Sequence, residues 1–128
     1  MTPFIESRDI LGDRDALRSR ANRDGCLFVK GLVDKEAILE ARRDIAAVLQ
    51  EEIWIDAGTD PFEAVTSHHA VVSGMDEFKP VYDRVQRIES FHTLAFDAGI
   101  TRVIEGLLGS EVLLQPSNIA RFIFPTEL

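Results

Sequence analysis

Apolar side chains recur at the three-to-four-residue spacing of an amphipathic helix in several stretches of the chain. The first stretch follows Asp13, a residue type that caps helix N-termini, and its inward positions are Leu17 and Ala21. Gly25 can adopt the left-handed conformation that ends a helix. The pattern therefore predicts a short, mostly solvated helix that begins at Arg14 and stops at Gly25.

The second stretch carries the clearest helical pattern in the sequence. Asp34 supplies an N-cap, and the pattern then continues to about Ile53 with a charged opposite face. Its inward positions are Ile38, Ala41, Ile45, Val48 and Leu49. We expect this helix to pack one face on the core.

Two more helical patterns lie in the C-terminal half of the chain. One begins at Phe78, has Pro80 in a first-turn position and continues to Ile88. The other is capped by Asp97 and ends at Gly109. Its inward positions are Ile100, Val103, Ile104, Leu107 and Leu108.

Three apolar runs lack helical spacing and favour β-strands: residues 26–30, 112–114 and 119–124. Residues 56–76 have no usable period and predict a long loop. The predicted fold class is therefore α+β, with helices packed on a few strands. We expect residues 1–128 to form a single domain or part of one, without an internal boundary.

The charge and the cysteine count narrow the classes of function. With 22 acidic and 14 basic residues the net charge is −8, which argues against nucleic acid or an anionic membrane as a partner. Cys26 is the only cysteine, so no internal disulfide points to an oxidising compartment. No apolar stretch approaches the ~18 residues of a membrane span, and no signal-peptide pattern is present. We expect a cytoplasmic location.

Three segments carry a more specific pattern. Residues 20–49 contain Asp24-Gly25 at a helix end, an apolar run, Gly31-Leu32 and an acid-capped helix. Residues 91–112 run from Phe91-His92 to a Leu-Leu-Gly-Ser-Glu-Val sequence, and residues 118–125 read Asn-Ile-Ala-Arg-Phe-Ile-Phe-Pro. In this order and at these separations, the segments resemble the opening of the phytanoyl-CoA dioxygenase family.

The resemblance implies the helix-rich N-terminal half of a double-stranded β-helix (jelly-roll or cupin-like) oxygenase. Such an enzyme uses Fe(II) and 2-oxoglutarate to hydroxylate a small organic substrate. The family's first two iron ligands form a His-x-Asp motif soon after a strand that resembles residues 119–124. None of the three histidines, His68, His69 and His92, is followed two residues later by Asp or Glu, so none of them begins such a motif. We therefore expect this chain alone to contain no catalytic residue and no metal ligand.

Three polar residues in and between the last two apolar runs are candidates for the cosubstrate pocket. The resemblance implies that Gln115, Asn118 and Arg121 line the 2-oxoglutarate pocket. The alternative is that these side chains only satisfy turns and sheet edges.

The adjacent histidines in the long loop are the remaining chemical candidates. If the backbone is extended there, His68 and His69 point to opposite faces and cannot easily share one metal ion. In a complete enzyme this loop would cover the active-site mouth, which makes His68 and His69 candidate substrate contacts. His92 lies in an apolar helical context and is expected to pack rather than to ligate.

A second hypothesis assigns no catalytic activity to the chain. The chain would be a non-catalytic α+β interaction or binding domain, whose C-terminal edge strand pairs with a second copy. Unpaired strand edges and exposed apolar side chains both favour such self-association.

Overall fold

The computed structural model describes residues 4–115 and 117–125. Four helices of eight residues or more form within them: α1 (Arg14–Asp24), α2 (Lys35–Glu51), α3 (Phe78–Val85) and α5 (Ala98–Leu108). A short helix, α4 (Glu89–Thr93), precedes α5. None of these helices is long and apolar enough to cross a membrane.

The predicted α+β class is wrong for this part of the chain, which is all-helical and contains no β-strand. The expectation of the helix-rich half of a double-stranded β-helix, with helices on a few strands, is contradicted on the same ground. Residues 26–30 contribute only a single parallel bridge, in which Phe28 pairs with Glu6. One bridge is too little to make a strand, because a strand needs a ladder of hydrogen bonds to a neighbour.

The chain divides into two compact units, and both are discontinuous in sequence. Unit 1 contains residues 1–35 and 96–114, and unit 2 contains residues 36–95 and 115–128. In unit 1, helices α1 and α5 pack together. Leu17 of α1 is 1% exposed and lies against Gly106 of α5, where an added Cβ would come within 3.3 Å of the Leu17 side chain.

Local signals set the ends of both helices in unit 1, as predicted. Asp13 accepts hydrogen bonds from the backbone N–H groups of Asp15 and Ala16, and Asp97 caps α5 in the same way. Gly25 and Gly109 end the two helices with φ angles of 72° and 80°. The Arg18 Nε–H also donates to the carbonyl oxygen of Leu107 at 2.8 Å and so joins α1 to α5.

Unit 2 is built around Trp54, which is 4% exposed. Val71 and Val81 are buried with it, and Leu49, Phe78, Phe122 and Phe124 pack around them. Arg84 of α3 is ion-paired with both Glu51 and Glu52 at the end of α2. The Arg84 guanidinium donates hydrogen bonds to Glu51 and to Glu52, and these bonds, the one to Glu51 most of all, raise the pKa of Arg84. This ion pair joins α3 to the end of α2.

The predicted strand at residues 119–124 is absent, but its side chains alternate as in a strand. Asn118, Ala120, Phe122 and Phe124 are half-buried, and the residues between them are exposed. A two-residue alternation is the pattern of extended backbone. Among the described residues, no other part of the backbone forms a hydrogen bond with this segment. The segment is therefore extended but is not part of a sheet. We call residues 117–125 the C-terminal segment.

The third apolar run, at residues 112–114, is likewise not a strand. Leu113 in this run is 88% exposed. Apolar content alone does not create the hydrogen-bonding partner that a strand requires.

Candidate functional site

The C-terminal segment covers an apolar cleft in unit 2, which we call the Trp54 cleft. Its volume is about 420 Å³. That size lies in the range of roughly 300–1,000 Å³ that is typical of small-molecule sites. The walls come from helices α2, α3 and α4, from the loop after α2 and from the segment itself, and they include Ile45, Leu49, Trp54, Val85, Phe91 and Phe122.

Aromatic edge-to-face contacts hold the segment on the cleft. The ring centroids of Phe122 and Phe124 each lie 5.3 Å from that of Trp54, with interplanar angles of 89° and 63°. Phe122 also meets Phe78 edge-on at 6.0 Å. These are the geometries that aromatic quadrupoles favour, so the inward side of the segment is fixed by its phenylalanines.

The three predicted cosubstrate residues do not converge on one point. Asn118 is on the half-buried side of the segment, whereas Gln115 and Arg121 are exposed. Arg121 is among the residues that line the Trp54 cleft. Within the described residues its guanidinium has no hydrogen bond or ion pair, so it is available to an anionic ligand.

Asn118 belongs to a short hydrogen-bonded chain. Its side-chain Nδ2–H donates to His92 Nδ1 at 3.2 Å, and His92 Nε2–H donates to the carbonyl oxygen of Gln86 at 2.8 Å. The two bonds together require a neutral imidazole protonated at Nε2. His92 therefore positions Asn118 and, as expected from its sequence context, packs inside the unit.

His68 and His69 are brought together rather than apart. Their ring centroids are 4.3 Å apart in a stacked arrangement, because the backbone at this point is not a regular extended strand. His69 Nε2 lies 2.5 Å from Glu77 Oε1. One ligand atom from each of His68, His69 and Glu77 lies within 4.8 Å of the others, and we call these residues the His68 cluster.

The His68 cluster adjoins the aromatic wall of unit 2. The His68 ring lies 6.4 Å from Trp54 and 6.2 Å from Phe124, measured between centroids. His68 is half-buried, and His69 and Glu77 are exposed. Sequence reasoning missed Glu77, because eight positions separate it from His69 and no ligand motif has that spacing.

The loop that carries the histidines is folded on Asp56. Asp56 Oδ1 accepts hydrogen bonds from both the backbone N–H and the hydroxyl of Ser67, each at 2.9 Å. The Asp56 backbone N–H donates to the carbonyl oxygen of Val65 at 2.9 Å. The long loop predicted from the sequence is therefore present, and its own hydrogen bonds position His68.

Comparison of the chain with protein-family models, with curated proteins and with solved structures finds no match.

The resemblance implies 2-oxoglutarate and Fe(II), and the described residues suit the first of these better than the second. An apolar cleft beside an arginine without an ion pair among the described residues suits a small dicarboxylate such as 2-oxoglutarate, because guanidinium binds carboxylate in a bidentate manner. The His-x-Asp motif that would hold the family's iron has no counterpart in the sequence.

Proposed function

We propose that this chain is the helical portion of a Fe(II)- and 2-oxoglutarate-dependent oxygenase that resembles the phytanoyl-CoA dioxygenase family. The ordered sequence segments are the first support. The helix ends observed within these segments are the second: α1 ends at Asp24 before Gly25, α2 begins at Lys35, and α5 ends at Leu108 before Gly109.

The observation that carries the proposal is the Trp54 cleft with Arg121 beside it. Its apolar walls provide a surface for an organic substrate, and the Arg121 guanidinium provides a cation for a carboxylate. The sequence of the segment that bears Arg121 resembles the one that precedes the iron motif in the family.

Under this proposal the chain binds and positions 2-oxoglutarate and the substrate. The iron ligands come from other residues of the enzyme. The complete reaction consumes 2-oxoglutarate, O₂ and a substrate C–H bond and gives succinate, CO₂ and an alcohol. Arg121 would contact the cosubstrate, and the apolar walls of the Trp54 cleft would contact the substrate.

The test uses the full-length product of the gene that encodes this chain. We expect a His-x-Asp motif in the coding sequence downstream of Pro125 and Fe(II)-dependent formation of succinate from 2-oxoglutarate. Arg121→Ala should raise the KM for 2-oxoglutarate by roughly 10- to 100-fold, because a hydrogen bond to a charged group is worth about 1.5–3 kcal/mol.

The matched control is Arg87→Ala, which removes another exposed arginine of unit 2 that does not line the cleft. It should leave the KM unchanged. If the downstream sequence lacks the motif, or if no succinate forms, the oxygenase proposal is wrong.

A second candidate function follows from the outer side of the C-terminal segment. Ile119 is 66% exposed and Ile123 is 92% exposed, although both, like Arg121, also line part of the Trp54 cleft. We propose as the alternative a non-catalytic module that self-associates through these side chains. Because the segment is not a strand here, the association would rest on apolar contact rather than on strand pairing.

A further inference from the structure

We propose that His68, His69 and Glu77 bind a divalent transition-metal ion of the borderline class, such as Zn²⁺, Co²⁺ or Ni²⁺. The proposal does not depend on the oxygenase function, since the His68 cluster shares no residue with Asn118 or Arg121. It assigns the role of metal ligand to three residues whose spacing in the sequence matches no known ligand motif.

The donor set is the first argument. Two imidazoles and one carboxylate are ligand types that Zn²⁺, Co²⁺ and Ni²⁺ accept, and three protein ligands leave positions for water or another ligand. One donor atom from each residue already lies within 4.8 Å of the other two. The stacked imidazole rings must turn so that one nitrogen of each faces the ion.

The hydrogen bonding of His68 is the second argument. Its Nδ1 lies 2.9 Å from the carbonyl oxygen of His69, an acceptor, so the neutral ring carries its proton on Nδ1. The lone pair is therefore on Nε2. Metal-bound histidines have this arrangement, in which one ring nitrogen donates to a carbonyl and the other is free to ligate.

The position of Glu77 is the third argument. Glu77 occupies the N-cap position of α3, but its side chain makes no capping hydrogen bond there. Its carboxylate instead approaches His69 Nε2 at 2.5 Å. The carboxylate therefore lies beside an imidazole and is not occupied in capping its own helix.

The expected rearrangement on metal binding is modest. Metal–nitrogen and metal–oxygen bonds of about 2.0–2.2 Å in a tetrahedral site place ligand atoms roughly 3.3 Å apart. The His69–Glu77 contact of 2.5 Å must therefore open, and the most distant pair must close from at most 4.8 Å. Both exposed residues, His69 and Glu77, are free to make these movements.

The experiment uses Trp54, the only tryptophan in the chain, as a reporter. Its ring lies 6.4 Å from that of His68, so Co²⁺ or Ni²⁺ bound in the cluster should quench its fluorescence. The 128-residue chain is titrated with each ion, and isothermal titration calorimetry gives the stoichiometry. The titrations use a Cys26→Ser background, because Cys26 is an exposed thiol that can bind metal by itself.

We expect one ion per chain, quenching by Co²⁺ and Ni²⁺, and recovery of the emission when Zn²⁺ displaces them. His69→Ala and Glu77→Gln should each weaken the affinity by about tenfold or more. Glu89→Gln, which alters another exposed glutamate of unit 2, should leave the affinity unchanged. Circular dichroism checks that each variant is folded.

Absence of binding would show that His69 and Glu77 form only a surface ion pair, and the proposal would be wrong. Binding that persists unchanged in His69→Ala and Glu77→Gln would place the ion elsewhere and would equally overturn it. Neither result bears on the oxygenase proposal, whose readouts are succinate and the KM for 2-oxoglutarate.

Discussion

Phe122 and Ile123 are consecutive residues with opposite surroundings. Phe122 meets Trp54 and Phe78 edge-on, whereas Ile123 is 92% exposed. Phe122→Ala should lower the free energy of unfolding by about 2–3 kcal/mol, towards the lower end for a buried phenylalanine because the ring is only half-buried.

Urea denaturation followed by Trp54 fluorescence measures this effect in unit 2. Ile123→Ala is the matched control and should change the stability by no more than about 0.5 kcal/mol. Equal losses for the two variants would show that the inward side of the segment is assigned incorrectly.

Ile53 has a backbone conformation that its side chain disfavours. Its φ angle is +63°, in the left-handed region, and its side chain is 70% exposed. A β-branched residue is strained there, whereas asparagine tolerates the conformation. Ile53→Asn should therefore raise the free energy of unfolding by about 0.5–1 kcal/mol. Thermal unfolding measures this change, and a lower melting temperature would contradict the prediction.

Single residues also mark the limit of what the sequence predicted about the site. Asn118 faces inward on His92, which a two-residue alternation can indicate. The His68 cluster was not predicted, because the stacking of His68 on His69 and the approach of Glu77 depend on a loop conformation without a periodic pattern. The roles assigned to Gln115, Asn118 and Arg121 stay predictions.

At the scale of elements, the helices were predictable because their signals are local. Asp13 and Asp97 cap the N-termini of α1 and α5, and Gly25 and Gly109 end the same two helices. Each of these residues is adjacent to the helix that it bounds. The strands were not predictable in the same way. A strand depends on a partner that is distant in sequence, and the apolar runs here have no such partner among the described residues.

The cap of α1 provides a direct test at this scale. Asp13→Ala removes the acceptor for two backbone N–H groups and should cost about 1 kcal/mol, whereas Asp13→Asn should retain most of the stability. Far-UV circular dichroism during urea denaturation compares the two variants. Equal losses would mean that the carboxylate charge, rather than the hydrogen-bonding oxygen, stabilises the helix.

At the scale of the whole molecule, the outward isoleucines predict association. Replacing both Ile119 and Ile123 by lysine should convert an associating chain into a monomer, because charged side chains resist burial in an apolar contact. Analytical ultracentrifugation over a range of concentrations measures the state of the wild type and the variant.

Val72→Lys is the control, since Val72 is 61% exposed elsewhere in unit 2. A wild-type chain that is monomeric at every concentration, or a Val72→Lys variant that dissociates equally, would contradict this prediction.

The interleaved course of the chain through its two units affects how the protein is made. Helix α1 reaches its packing partner only when α5 has been synthesised, and Leu107 follows Arg18 by 89 residues. At about 5–20 residues per second, a ribosome needs roughly 4–18 s to cover that distance. An isolated helix of 11 residues is marginal in water, so α1 waits unfolded through this interval. A nascent chain arrested before α5 should therefore expose α1 to proteases and chaperones.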